Sequence, residues 1–193
     1  MEIYKYKDYE EYLQEQTNAN IKKERNVWVK EHTIKEILKQ ENPNTISSIL
    51  CHGTRNGKEQ RLFRKYFPLA EVIGTEISHT ASKYEMTIQH DFHDEKEEWI
   101  NKFDIVYSNS YDHSYDPEKA IMAWKNQLNK TGALYIEQSF NPIVNISDSI
   151  DCLKWDNQKE FEGFLDNLNF NFSKIDLNLN FDAVLYRLSS SKG

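Results

Sequence analysis

The sequence predicts an α/β domain: a mostly parallel seven-stranded sheet that finishes in an antiparallel hairpin, with a helical N-terminal extension. Three observations carry this prediction. From residue 45 onward, short β-branched apolar runs alternate with helical stretches, which is the pattern of βαβ units. The last two strand-like runs, 172–179 and 181–188, have only Asn180 and its neighbours between them, too little chain for a parallel crossover. The length of 193 residues suits one domain and is enough to bury a core without disulfide or metal staples.

The elements follow in order. Residues 5–40 are charged and rich in helix formers. Tyr9, Tyr12 and Leu13 share one face and Ile34, Ile37 and Leu38 another, so one or two amphipathic helices are expected before Asn42-Pro43-Asn44. Residues 1–44 thus form a helical lid or flank, and 45–193 the core of a single domain. Ile46-Ser47-Ser48-Ile49-Leu50-Cys51 reads as the first core strand. A glycine-containing turn follows, then a helix over 58–66 with Leu62, Phe63 and Tyr66 at helical spacing. Residues 71–77 and 86–90 are the next strands. The segment 77–85 between them is short for a crossover helix, so one turn or none is expected there. A short helix over 95–101 precedes a fourth strand at 103–108. The helix at 117–128 carries Pro117 in its first turn, where a missing N–H costs nothing. Gly132 closes that unit, and 133–137 is the fifth strand. A helix at 157–168, with Phe161, Phe164, Leu165 and Leu168 on one face, leads into the hairpin. The tail 189–193 is expected to fray.

Composition narrows the function classes. Aromatic residues make up 13%, which argues against disorder despite a mean hydropathy of −0.79. Lys plus Arg number 24 against 31 Asp plus Glu, a net charge of −7, and an acidic surface repels phosphate backbones. No nucleic-acid partner is expected. Cys51 and Cys152 read as reduced thiols of a cytoplasmic protein. The start lacks an apolar signal segment and no run approaches the ~18 apolar residues of a membrane span, so no membrane partner is expected either. Glycine is scarce: of six, two fall in one five-residue turn, Gly53 to Gly57.

Open parallel sheets bind ligands outside the carboxyl ends of their strands, where the strand order reverses. The residues that follow each strand are therefore the candidates. After the first comes Gly53-Thr54-Arg55-Asn56-Gly57-Lys58-Glu59. Its glycines permit a sharp turn close to a ligand, and the free N–H groups of the following helix favour a carboxylate; a ligand-free tight turn fits equally well. After the second comes Glu76, about twenty residues beyond the turn, where nucleotide folds place an acid on the ribose hydroxyls. After the third comes His90-Asp91-Phe92-His93-Asp94. Asp91 can accept from an adenine amine and Phe92 can stack on the ring or pack beside it. The His and Asp residues are of metal-ligand type, but their spacing is not a standard one, and no metal is assigned. After the fourth comes Ser108-Asn109-Ser110-Tyr111-Asp112-His113. His113 is either a general base or a brace for the loop, with Asp112 or Asp116 as its partner.

At these residues the chain resembles class I S-adenosylmethionine-dependent methyltransferases. Their usual first motif is an acid followed by Gly-x-Gly-x-Gly. Gly53 and Gly57 match its first and third glycines, whereas Cys51 stands where the acid is common and Arg55 where the middle glycine is common. The pattern is similar to a divergent subgroup with a Gly-x-Arg-x-Gly-x-Glu loop, an Asp-Phe-His stretch and an Asn-Ser-x-Asp-His loop; all three are present between residues 53 and 113. The resemblance spans about residues 45–140, and the terminal hairpin fits it. It implies a Rossmann-like methyltransferase fold and S-adenosylmethionine as cofactor. Gly53, Thr54 and Gly57 would line the methionine and ribose, Glu76 would hold the ribose, and Asp91 and Phe92 would flank the adenine. Asn109 and Ser110 would lie along the methionine and sulfonium. With no acid at 51, Glu59 or a loop carbonyl would take the ammonium and Arg55 the carboxylate, unless Arg55 and Glu59 simply pair across one helical turn. The implied reaction is in-line methyl transfer to a small molecule or sugar-type acceptor, with His113, then Asp112, as base for a hydroxyl. The N-terminal helices and 141–156 would cover the acceptor. Two rivals are a non-catalytic module that keeps the fold and a nicotinamide-dependent oxidoreductase, the latter opposed by Arg55, because the pyrophosphate needs glycine there.

Overall fold

A computed structural model describes residues 1–179 and 181–190. A short strand β1 (Glu2–Ile3) precedes helices α1 (Tyr9–Lys22) and α2 (Glu31–Gln40). The core then runs β2 (Ser48–His52), α3 (Lys58–Tyr66), β3 (Glu71–Glu76), β4 (Thr87–Gln89), β5 (Phe103–Ser108), α4 (Pro117–Gln127) and β6 (Leu128–Ser139). It closes with β7 (Leu153–Lys154), α5 (Gln158–Asn167), β8 (Phe170–Asp176) and β9 (Ala183–Ser190). Single 3-10 turns at His79–Lys83 and Glu97–Trp99 stand where one helical turn and a short helix are expected.

The main sheet has seven strands in the order β4-β3-β2-β5-β6-β9-β8. The first five are parallel, and β9 is antiparallel to both β6 and β8, which is the predicted architecture. Period-2 alternation builds the two cores. Leu50, Val106, Leu134 and Ile136 face α4 and α5, packing with Trp124, Trp155 and Phe161. Their neighbours Ile49, Cys51, Ile105, Tyr107 and Tyr135 face the other way, onto Ile34, Ile37, Leu62 and Phe63 of α2 and α3. Both cysteines are buried and free. Local sequence sets the helix starts: Asp8, Asp116 and Asn157 each accept a backbone N–H of the first turn of α1, α4 and α5. No helix among the described residues is long and apolar enough to cross a membrane.

Several details depart from the sequence reading. Gly132 does not end a helix unit; it lies within β6, which starts directly after α4, and a Cβ there would sit 2.6 Å from the Phe103 carbonyl oxygen. Met86 does not open β4, because its φ of 61° is left-handed and outside the strand region. The hairpin strands end at Asp176 and resume at Ala183, a longer link than expected. Asn180, the expected turn, lies outside the described residues. Ser189 and Ser190 are not frayed but paired, opposite Asn171 and Phe170; the rest of the tail lies outside the described residues. The ribbon of β1 and β7, with Glu2 opposite Lys154 and Ile3 opposite Leu153, has no sequence signal, since two residues cannot show a period.

Candidate functional site

Strand order reverses at β2: β3 and β4 lie on one side of it, β5 and β6 on the other. The loops leaving β2 and β5 meet above this point. Gly53 has φ 69°, and a Cβ on it would fall 2.7 Å from Ser110 Cβ, so only glycine lets the two loops touch. Ser110 Oγ donates to the Gly53 carbonyl at 3.1 Å. Arg55 holds φ 45°, the left-handed region that glycine occupies without strain. An arginine there costs about 1–2 kcal/mol, a strain that tends to persist at functional sites.

Two cavities open from this crossing and share Gly53, Arg55, Ser110 and His113. The larger, about 430 Å³, also takes in Thr54, Glu59, Asn109 and Asp112. The smaller, about 50 Å³, lies between Glu76, Asp91 and Phe92 and the underside of α1. Every residue expected to bind the cofactor or act as base therefore borders one cavity or the other, except Gly57; His93, Asp94 and Asp116 border neither. That glycine is buried, caps α3 with φ 69° and lines neither.

Glu59 is 5% exposed, and burial pushes its carboxyl up to about 7. Its Oε2 has no hydrogen-bond partner among the described residues, and Arg55 forms no ion pair with it. A buried acceptor left without a donor is costly, and here it faces a cavity able to hold one. Glu76 is almost as buried, which raises its pKa, but its two oxygens accept from the backbone N–H groups of Arg55 and Ser78, each at 3.0 Å.

Asp91 belongs to a buried chain of hydrogen bonds. Its Oδ1 accepts from His93 Nδ1 at 2.6 Å, and its Oδ2 accepts from the Tyr9 hydroxyl of α1 at 2.9 Å. Burial works to raise its pKa, but His93 and the Tyr9 hydroxyl hold it below the usual carboxylate range. His93 Nε2 reaches Ser114 Oγ at 2.8 Å. Phe92 is buried, packed edge-on against Trp124. His52, next to the glycine turn, lies between Thr75 Oγ1 and Gln127 Oε1, and burial lowers its pKa to about 3. It is a neutral core residue.

His113 is fixed through Nδ1, which lies 2.9 Å from the Ile150 carbonyl and 3.1 Å from Gln16 Oε1. A carbonyl only accepts, so Nδ1 carries the proton. Nε2 is turned toward Asp151 Oδ1 at 3.5 Å and Asp112 Oδ1 at 3.9 Å. These three side chains are the one group of metal-ligand types gathered within 4.8 Å among the described residues. The His90–Asp94 stretch does not gather in this way. Asp151, Gln16 and Tyr9 were not singled out in the sequence. Asp151 falls in the segment expected to cover the acceptor, whereas nothing in the sequence marks Tyr9 or Gln16 beyond their helix.

No protein-family model and no curated protein matches the chain. Solved structures do. A chain from the complex of the Haloferax volcanii Trm112 methyltransferase activator with a candidate methyltransferase superposes with a TM-score of 0.71 at 14% identity, over 97% of this chain and 100% of that one. The Burkholderia thailandensis 1,6-didemethyltoxoflavin-N1-methyltransferase, solved with its 1,6-didemethyltoxoflavin and S-adenosylhomocysteine, gives 0.68 at 12% identity, over 97% and 93%. The plantazolicin methyltransferase BpumL, also in complex with S-adenosylhomocysteine, gives 0.62 at 13% identity, over 83% and 82%. The fold is therefore the Rossmann-like fold of class I methyltransferases.

Proposed function

We propose that this chain is an S-adenosylmethionine-dependent methyltransferase with the Gly-x-Arg-x-Gly-x-Glu form of the first motif, acting on a small-molecule acceptor. The observation that carries this reading is the buried carboxylate of Glu59, whose Oε2 has no hydrogen-bond partner among the described residues and which borders the same cavity as Arg55, the residue whose backbone N–H Glu76 accepts. An amino acid's ammonium and carboxylate would satisfy that pair, with Glu59 meeting the first and Arg55 the second. Glu76 would accept from the ribose hydroxyls, and Asp91 and Phe92 would border the adenine. Gly53, Thr54, Asn109 and Ser110 would line the methionine and sulfonium. Gly57 acts indirectly, through the turn that starts α3. The two neighbours solved with S-adenosylhomocysteine support the cofactor.

When bound, the cofactor supplies an electrophilic methyl group on a sulfonium, so the protein chiefly positions the acceptor in line with it. His113 is set to take an acceptor hydroxyl's proton at Nε2, because its other nitrogen is committed as a donor. Asp151 and Asp112 then face the imidazolium. The 430 Å³ cavity falls in the range of about 300–1,000 Å³ usual for small-molecule sites.

Calorimetry with S-adenosylmethionine and S-adenosylhomocysteine tests the reading. Both should bind, and Glu76→Ala should weaken them about 10- to 100-fold, the equivalent of about 1.5–3 kcal/mol for a charged hydrogen bond. Absence of binding by either compound to the parent protein would overturn the enzyme reading.

A further inference from the structure

Large apolar side chains exposed singly on a surface carry no message, but several around one cavity mouth do. Val27, Trp28, Ile143 and Phe181 are exposed by 43%, 52%, 73% and 39%, and all four border the 430 Å³ cavity. They come from three separated links: the one between α1 and α2, the one after β6, and the one between β8 and β9. Phe181 reaches this rim with φ 67°, and Asn178 and Asp182 in the same link are also left-handed, at 51° and 50°. A bulky residue with positive φ is an outlier, and such strain persists where the surroundings hold it in place. Below the apolar rim the lining turns polar, with His113, Asp112, Asp151, Glu137 and Gln138.

We propose that the acceptor is a small aromatic molecule bearing a ring hydroxyl, its ring held by Trp28, Ile143 and Phe181 and its hydroxyl directed to His113. This deepens the methyltransferase reading and rests on it. A flat apolar ring matches the rim, and a protic group matches the floor. Exposed Asn26, Lys30 and Asn178 line the same cavity beside these apolar residues, so the choice of a ring over a sugar rests on the four large apolar side chains gathered there and is tested with methyl glucoside. The cavity, about 430 Å³, is of the size that takes small molecules. In the transfer the phenolic oxygen forms a bond to the methyl carbon. The carbon–sulfur bond breaks with its electron pair left on sulfur, giving S-adenosylhomocysteine. The phenolic proton passes to His113 Nε2.

The test is direct binding, with S-adenosylhomocysteine present, of 4-ethylphenol, 2-naphthol and 7-hydroxycoumarin, alongside methyl glucoside. At least one phenol should bind, with methyl glucoside at least tenfold weaker. Trp28→Ala and Ile143→Ser should each weaken the phenol by about tenfold, as loss of an aromatic or aliphatic anchor does. Both residues are exposed, so neither change threatens folding, and S-adenosylhomocysteine affinity should stay within twofold in both variants. Tryptophan fluorescence gives a second readout: Trp99, Trp124 and Trp155 are buried, so quenching of exposed indole by the phenol should vanish in Trp28→Phe. The inference is overturned if S-adenosylhomocysteine binds but no phenol does, if methyl glucoside binds as well as the phenol, or if the rim variants bind the phenol like the parent. Failure of S-adenosylhomocysteine itself to bind would instead reject the methyltransferase reading.

Discussion

Replacing Glu59 by Gln should stabilise the ligand-free protein at high pH while damaging cofactor binding. The carboxyl is buried and raised from 4.5 to about 7. In the unfolded chain it ionises near 4.5; in the native protein it holds its proton until near pH 7. Between those values the native state binds more protons, so stability falls as pH rises through the window and levels off above it. At about 1.4 kcal/mol per pKa unit, the penalty at high pH is about 3.5 kcal/mol, and the part lost between pH 5 and pH 8 is about 2.5 kcal/mol. Glutamine keeps the shape and cannot ionise, so it escapes this loss. Urea denaturation of parent and Glu59→Gln at pH 5, 6, 7 and 8 measures the difference, in which the titration of all other groups cancels. The gap should widen steadily in favour of Glu59→Gln up to about pH 7 and then stay constant. A gap independent of pH would refute the burial assigned to this carboxylate. In the same variant, S-adenosylhomocysteine should bind at least tenfold more weakly at pH 8, because a neutral amide replaces the carboxylate that faces the ammonium.

Three further outcomes are expected. His113→Gln should lower kcat by about 10²–10⁴ at unchanged cofactor affinity; steady-state kinetics on an acceptor checks this, and a kcat near the parent's would leave His113 a brace only. Gly74→Ala places a Cβ 1.9 Å from Gln60 Nε2, and Gln60 is buried and bonded to Thr54 and Thr87. Overpacking of this kind costs about 1–3 kcal/mol, so an unchanged urea midpoint would contradict the packing described. Tyr9→Phe removes the hydroxyl that donates to Asp91 Oδ2, an acceptor that an adenine amine would use. S-adenosylhomocysteine affinity should hold or rise, and a fall of tenfold or more would show that the Tyr9 hydroxyl serves the cofactor.

The sheet was legible because its signals are local and redundant. Short, nearly continuous apolar runs mark Ser48–His52 and Phe103–Ser108, and Pro117 behind Asp116 marks a helix start. Glu76 was legible from its distance to the glycine turn, since β3 lies beside β2 with Cys51 opposite Gly74. The covering segments were expected, but the contacts that hold them were not legible. Tyr9, Gln16 and Asp151 act through contacts spanning 82, 97 and 38 positions, the last by subtraction of 113 from 151, and no local pattern encodes these. The odd arginine at 55 is explained only in part. Its backbone keeps the left-handed conformation that a glycine gives freely, and its N–H serves Glu76.

The ribbon of β1 and β7 joins two parts of the fold that border the cavities. It fastens the start of the α1 arm to the end of the 141–156 segment, and Gln16 donates to the Ile150 carbonyl to fasten them again. The two covers are thus one clasp, and that clasp touches both cavities through His113. The smaller cavity, about 50 Å³, is far below the size of an adenosine site, so the adenine position proposed above requires α1 to move. Because α1 is tied to the segment that carries Asp151 and Ile143, such a shift would reach the side proposed for the acceptor. Under the proposed function, cofactor and acceptor would then alter each other's affinity by the same factor, whichever binds first.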